Sequence, residues 1–113
     1  MLPALKISAA AGNDPFIVNI SGVVAESPMA GLAAYSSSKA ALYAFDQAIS
    51  RELRRDGIRV IDARPGHTET GLAGRAIAGV APAFPQGMSI DQVAERIVKA
   101  IAEDEKDLPS SAF

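Results

Sequence analysis

The chain contains no cysteine and no tryptophan, a single histidine, and aromatic residues at only 5% of its 113 positions. Without cysteine there is no disulfide, no thiolate metal site and no thiol nucleophile, a pattern that fits a reducing compartment. The lone His67 has no companion ligands and no Asp or Ser partner in register, so no metal site and no histidine-based nucleophile are expected. An excess of basic charge is also missing: 11 Lys and Arg face 13 Asp and Glu, a net charge of −2. That balance gives no electrostatic footing for nucleic acid. The longest strongly apolar stretch, Phe16 to Ile20, is far too short to span a bilayer. The start, Met1-Leu2-Pro3-Ala4-Leu5-Lys6, lacks the basic region and apolar core of a signal peptide. The expectation is a cytoplasmic chain with neither membrane nor nucleic acid as partner. What is present, 49% apolar and 21% charged residues, is the composition of one globular domain over residues 1–113.

Leu2 to Ala10 reads as a short helix with Pro3 in its first turn, followed by the turn cluster Gly12-Asn13-Asp14-Pro15. Phe16 to Ser21 reads as a strand whose apolar run barely alternates, as in a parallel strand covered on both faces. From Leu32 to Arg55 an Ala- and Leu-rich segment places Leu42, Phe45, Ile49 and Leu53 at helical spacing, and Asp56-Gly57 ends it. Ile58 to Ala63 is a second strand, stopped by Pro65-Gly66. Residues 67–88 hold Gly71, Gly74, Gly79 and Gly87 with Pro82 and Pro85, a loose segment of the kind used as a lid. Ser89 and Gln92 form a capping box for a helix expected to bury Ile90, Val93, Ala94, Ile97 and Ile101. Glu103 to Asp107 reads as a solvated charge run, and the tail from Leu108 to Phe113 as extended. Strand, helix, strand, loop, helix is a right-handed βαβ unit plus a further helix, hence α/β. Two or three such strands need neighbours, so the chain reads as part of a larger fold.

One pair of residues stands out chemically. Tyr35 and Lys39 are four apart at the start of the long helix, on one face and within reach of one ligand. A nearby ammonium favours the phenolate, which makes such a tyrosine a competent general acid for a carbonyl or base for an alcohol. The pair follows a strand ending Ile20-Ser21-Gly22 and precedes a strand running into Pro65-Gly66-His67-Thr68-Glu69-Thr70.

In that order, Ile17 to Ser21, Tyr35 to Leu42 and Asp62 to Thr70 resemble the C-terminal half of the short-chain dehydrogenase/reductase family over residues 2–101. The resemblance implies the C-terminal part of a Rossmann-like, doubly wound parallel sheet, truncated so that the N-terminal Gly-rich half is absent. It implies an oxidoreductase interconverting a carbonyl and an alcohol with NAD or NADP as cofactor. Tyr35 would exchange the proton with the substrate oxygen, and Lys39 would assist it and hold the nicotinamide ribose. Pro65, Gly66 and the backbone near Thr68 would face the nicotinamide, with Thr70 toward its carboxamide or the phosphates. Residues 67–88 would form the substrate lid.

The chain departs from the family pattern at two places. The position thirteen before Tyr35, where the family usually has a serine holding the substrate oxygen, is Gly22. Ser21 is the adjacent candidate, reachable only through a distortion at Gly22, because successive strand side chains point to opposite faces. Nor does any Gly-rich strand–turn–helix occur, the element that cradles a pyrophosphate. A second reading therefore stands beside the enzyme: a catalytically silent fragment, or an oligomeric structural or binding module without its own cofactor site. In either case, association with further copies or with a missing N-terminal half is expected to cover the sheet edges. The remaining features have plainer readings. Arg51, Arg54, Arg55, Arg59 and Arg64, interleaved with Glu52 and Asp56, read as a solvated helix face. Asn19 reads as a strand residue tying neighbouring loops, His67 as a loop residue facing cofactor or substrate, and Ser36, Ser37 and Ser38 as a close-approach surface.

Overall fold

A computed structural model describes residues 1–75, 77–80 and 83–113. Helix α1 (Leu2–Ala10) leads through the Gly12 turn into β1 (Phe16–Ile20), and α2 (Ala33–Leu53) connects β1 to β2 (Arg59–Ala63). Helix α3 (Ile90–Ala102) then leads to β3 (Asp107–Leu108). The three strands form one sheet in the order β1-β2-β3, and both pairings are parallel. The α/β class with a small parallel sheet follows from these crossovers. Ala76, Ala81 and Pro82, within the expected lid, lie outside the described residues.

Side chains divide between the two faces of the sheet by the alternation of its strands. On one face Ile61 and Ala63 of β2 join Leu108 of β3 and Ala100 of α3, with Val18, Ile97 and Ile101 packed against them. On the other, Val60 and Ile58 meet Leu53, with Ile17, Ile49 and Leu5 against them. The central strand β2 is buried on both faces from Val60 onward, as its apolar sequence requires. β1 is different. Its ends, Phe16 and Ile20, point to the same face as Val18 and are exposed, so the expectation of cover on both faces is corrected.

The ends of the helices follow local chemistry. Gly57 takes the left-handed conformation (φ +73°) that closes the turn after α2. At α3 the Ser89 hydroxyl accepts from the Gln92 N–H at 3.2 Å, and the Gln92 side chain accepts from the Ser89 N–H at 3.1 Å. The capping box is thus complete.

Three readings of burial need correction. The inward stripe of α2 runs through Leu42, Asp46, Ile49 and Leu53, so Phe45, one residue off it, is exposed. In α3 the buried positions are Val93 and Ala100, flanked by Ile97 and Ile101, while Ile90 in the first turn and Ala94 stand outside the contact. The charge run is not wholly solvated either. Asp107 opens β3, Glu105 pairs with Arg96 at 2.7 Å, and Ser110–Ala112 form a 3-10 turn rather than an extended tail.

Candidate active site

The carboxyl ends of β1 and β2 open onto a cavity of about 550 Å³. That is the usual place for a ligand in a parallel α/β sheet, and the volume suits a small organic molecule. One wall is the first turns of α2, carrying Tyr35 and Lys39. A second wall is the chain leaving β2, with Pro65, Gly66, Thr68 and Thr70. Ser21 and Gly22 form the corner between them. The structure therefore brings every sequence-derived candidate to one cavity. The remaining lining is mainly apolar, from Val23, Met29, Leu32, Leu72 and Phe84.

Helical spacing aims Tyr35 and Lys39 the same way, and the ammonium lies 5.8 Å from the phenol ring centroid. Lys39 Nζ donates to the Ile20 carbonyl at 2.9 Å, which ties the helix to the end of β1. Tyr35 is 47% exposed, so its phenol is open to a ligand. The small serines between them keep α2 tidy. Ser37 and Ser38 bond back to the Ala33 and Tyr35 carbonyls, and buried Ser36 accepts from the Met29 N–H at 3.3 Å.

Ser21 and Gly22 part company at the corner. Ser21 is fully buried with Ile17 and Asn19 on the α2-facing side of β1, and its hydroxyl donates to Asp62 at 2.8–2.9 Å. Gly22 sits at φ +81°, ψ 163°, a conformation that only glycine adopts freely. The distortion foreseen there exists, and the Ser21 hydroxyl remains on Asp62.

The second wall is closed by a clamp between the two ends of the 67–88 segment. Thr68 and Met88 form a parallel bridge, Met88 N–H donates to the His67 carbonyl at 2.8 Å, and Gly87 N–H donates to Glu69 Oε1 at 2.7 Å. His67 lies in the cavity wall, stacks on Phe84 with centroids 4.7 Å apart, and approaches Glu69 at 3.3 Å.

Sequence reasoning missed the polar group behind the corner. Arg64 is not part of a solvated basic face. It is 2% exposed, stacks on the Tyr43 ring at 4.1 Å, and bonds Glu26 at 2.5 Å, Asp107 at 2.7 Å and Asp62. Arg59 is likewise engaged, with Asp14 at 2.7 Å. Asn19 ties β1 to a helix rather than to loops, donating to Asp46 Oδ1 at 2.6 Å. The available signal was Asp46, a carboxyl on the apolar stripe of α2 that needed polar company.

The carboxyl edge of a parallel sheet thus carries a cavity lined by a tyrosine and a lysine of α2. Comparison with known proteins identifies the class: the family model described as short chain dehydrogenase matches residues 1–80, and the chain belongs to that oxidoreductase family. It is 35% identical over 99 residues to a dehydrogenase/reductase SDR family protein 7-like of Anopheles gambiae, covering 81% of this chain and 31% of that one. Among solved structures, it matches a short-chain dehydrogenase from Sphingobium yanoikuyae in complex with NADPH. That match has a TM-score of 0.78 and 27% identity, over 96% of this chain and 41% of the other. The fold is shared equally with a 3-ketoacyl-(acyl-carrier-protein) reductase from Brucella melitensis (TM-score 0.78, 21% identity, 98% of this chain and 49% of that one). The chain spans about a third of the length of the curated relatives it matches. Among the described residues, no helix is long and apolar enough to cross a membrane.

Proposed function

We propose that this chain carries the proton-transfer side of an NAD(P)-dependent oxidoreductase that interconverts a carbonyl and an alcohol. The observation that carries the proposal is the convergence of Tyr35 and Lys39 with the Pro65–Thr70 segment on one cavity. The residues fit the nicotinamide–ribose end of the cofactor. Gly66 leaves open space where a side chain would stand, so a flat ring can approach the backbone, and Lys39 lies across from it. The bound nicotinamide would supply or accept the hydride. The 27% identity to an NADPH-bound relative supports the same assignment.

The chain's own residues manage the proton and the geometry. The Tyr35 phenol gives a proton to the carbonyl oxygen in reduction and takes it from the hydroxyl in oxidation. Lys39 brings positive charge to the same face and, by its bond to the Ile20 carbonyl, holds α2 against the end of β1. The Gly22 and Val23 N–H groups are occupied by the Ala63 and Pro65 carbonyls, at 3.2 and 2.9 Å. With no hydroxyl at position 22 and Ser21 bound to Asp62, Tyr35 carries the developing oxyanion without a serine beside it. The absence of that one donor is worth about 10²–10³ in rate. A slow enzyme is the expected result.

The apolar lining favours a weakly polar carbonyl or alcohol. The edge of β1 away from β2, unpaired among the described residues, favours association along that edge. The direct test is Tyr35→Phe, assayed for NADPH-dependent reduction of a panel of apolar ketones. Turnover should fall by about 10²-fold or more with cofactor affinity retained. Unchanged turnover would remove Tyr35 from the mechanism.

A further inference from the structure

Between α2 and the sheet, beneath the Ser21–Gly22 corner, lies a buried acidic pair for which the proton chemistry of Tyr35 has no use. Asp46, from the middle of α2, is 2% exposed. Its Oδ1 accepts from Asn19, its Oδ2 is buried without a partner, and its carboxyl faces that of Asp62. Asp62, 4% exposed, receives the Ser21 hydroxyl on both oxygens and an N–H of Arg64.

Arg64 cannot neutralise both acids. It is already divided among Asp62 of β2, Glu26 beyond β1 and Asp107 of β3, with the Tyr43 ring of α2 against it. Of the two cations on α2, Lys39 is bonded to the Ile20 carbonyl and Arg51 is exposed. Two carboxylates side by side in a low dielectric are unfavourable unless one holds a proton. A buried oxygen without a donor calls for an explanation, and a proton on that oxygen is one.

We propose that Asp46 and Asp62 share one proton in the folded chain, carried on Asp46 Oδ2 toward Asp62, and that it positions Ser21 and the Gly22 corner of the cavity. The coupling is short. Ser21 is bonded to both oxygens of Asp62, so a rotation of that carboxylate away from a deprotonated Asp46 carries Ser21 with it. Asp46 is a positioning residue in this scheme and touches no substrate. Burial raises its affinity for the proton, the bond from Asn19 opposes, and Asp62 adds to the rise, so the carboxyl is pushed up from 3.8 to about 6. The folded state therefore binds this proton more tightly than the unfolded chain. The stability it contributes is greatest below the ordinary value of 3.8 and is lost as pH rises through about 6.

The test is a carbon-13 NMR titration of the aspartate carboxyls and of Ser21 Cβ in the 113-residue chain. It would compare the wild type with Asp46→Asn, whose amide supplies an N–H where the acid supplied an O–H. One aspartate should titrate near 6, Ser21 Cβ should shift with the same midpoint, and both transitions should vanish in the variant. Aspartates that all titrate at or below 3.8, or a Ser21 signal unmoved across the transition, would overturn the proposal. If Asp46→Asn does not fold, the wild-type titration decides alone. Neither cofactor nor turnover enters the readout, so failure of the Tyr35 assignment leaves it intact.

Discussion

At the scale of single residues, two glycines shape the cavity for different reasons. Gly87 is required by space. A Cβ there would stand 2.1 Å from the His67 carbonyl oxygen and 2.7 Å from its carbon, backbone atoms that cannot step aside cheaply. Gly87→Ala should therefore open the Thr68–Met88 bridge, at a cost of about 1–3 kcal/mol. Amide hydrogen exchange checks this: the Met88 and Glu69 amides, bonded at 2.8 and 3.0 Å, should lose protection while β2 keeps its own. Retained protection at Met88 would show that the clamp tolerates a methyl group. Gly22 is required by conformation instead, since nothing lies within 4 Å of its missing Cβ. Gly22→Ser would place a hydroxyl at the corner only with strain on the order of 1–3 kcal/mol, because its φ is +81°. Counting back from Tyr35 points to position 22, but a string of residues does not reveal that its backbone stands at φ +81°.

At the scale of elements, what was legible depended on whether local sequence or tertiary contact decided the outcome. The capping box at Ser89 and Gln92, the Gly57 cap and the two main strands are local, and each formed where its residues indicated. β3 was not legible, because two residues, Asp107 and Leu108, have no periodicity to read and become a strand only by pairing with Asp62 and Ala63. Arg64 was misread for a related reason. In sequence it continues a run of arginines, whereas in space β2 carries it under α2 to meet Glu26 and Asp107. Glu26 shows the effect of that meeting. Partial burial pulls its carboxyl upward, but the bonds from Ser110 and Arg64 outweigh burial and hold it below the usual carboxylate value. The local elements are also those that can be removed separately. Ser89→Ala deletes the hydroxyl that accepts from Gln92 and should cost about 1 kcal/mol, read as a lower urea midpoint with an unchanged slope. An unchanged midpoint would mean that α3 is held by Val93 and Ala100 alone.

At the scale of the whole molecule, one parallel sheet sets out both the cavity and its support. The carboxyl ends of β1 and β2 present Gly22 and Pro65–Gly66, α2 leans Tyr35 and Lys39 over them, and the Asp46–Asp62 pair lies underneath. The candidate residues were legible because their spacing is a property of the chain; their common cavity is a property of the crossover that returns α2 to the sheet. The most direct measurement is an NMR titration of the folded chain with reduced nicotinamide mononucleotide, the part of the cofactor proposed for this cavity. Tyr35, Lys39, Gly66 and Thr68 should shift together and saturably, and Lys39→Ala should abolish the response without unfolding the chain. Shifts confined to other surfaces, or no saturable shift in a folded sample, would contradict the assignment of this cavity to the nicotinamide.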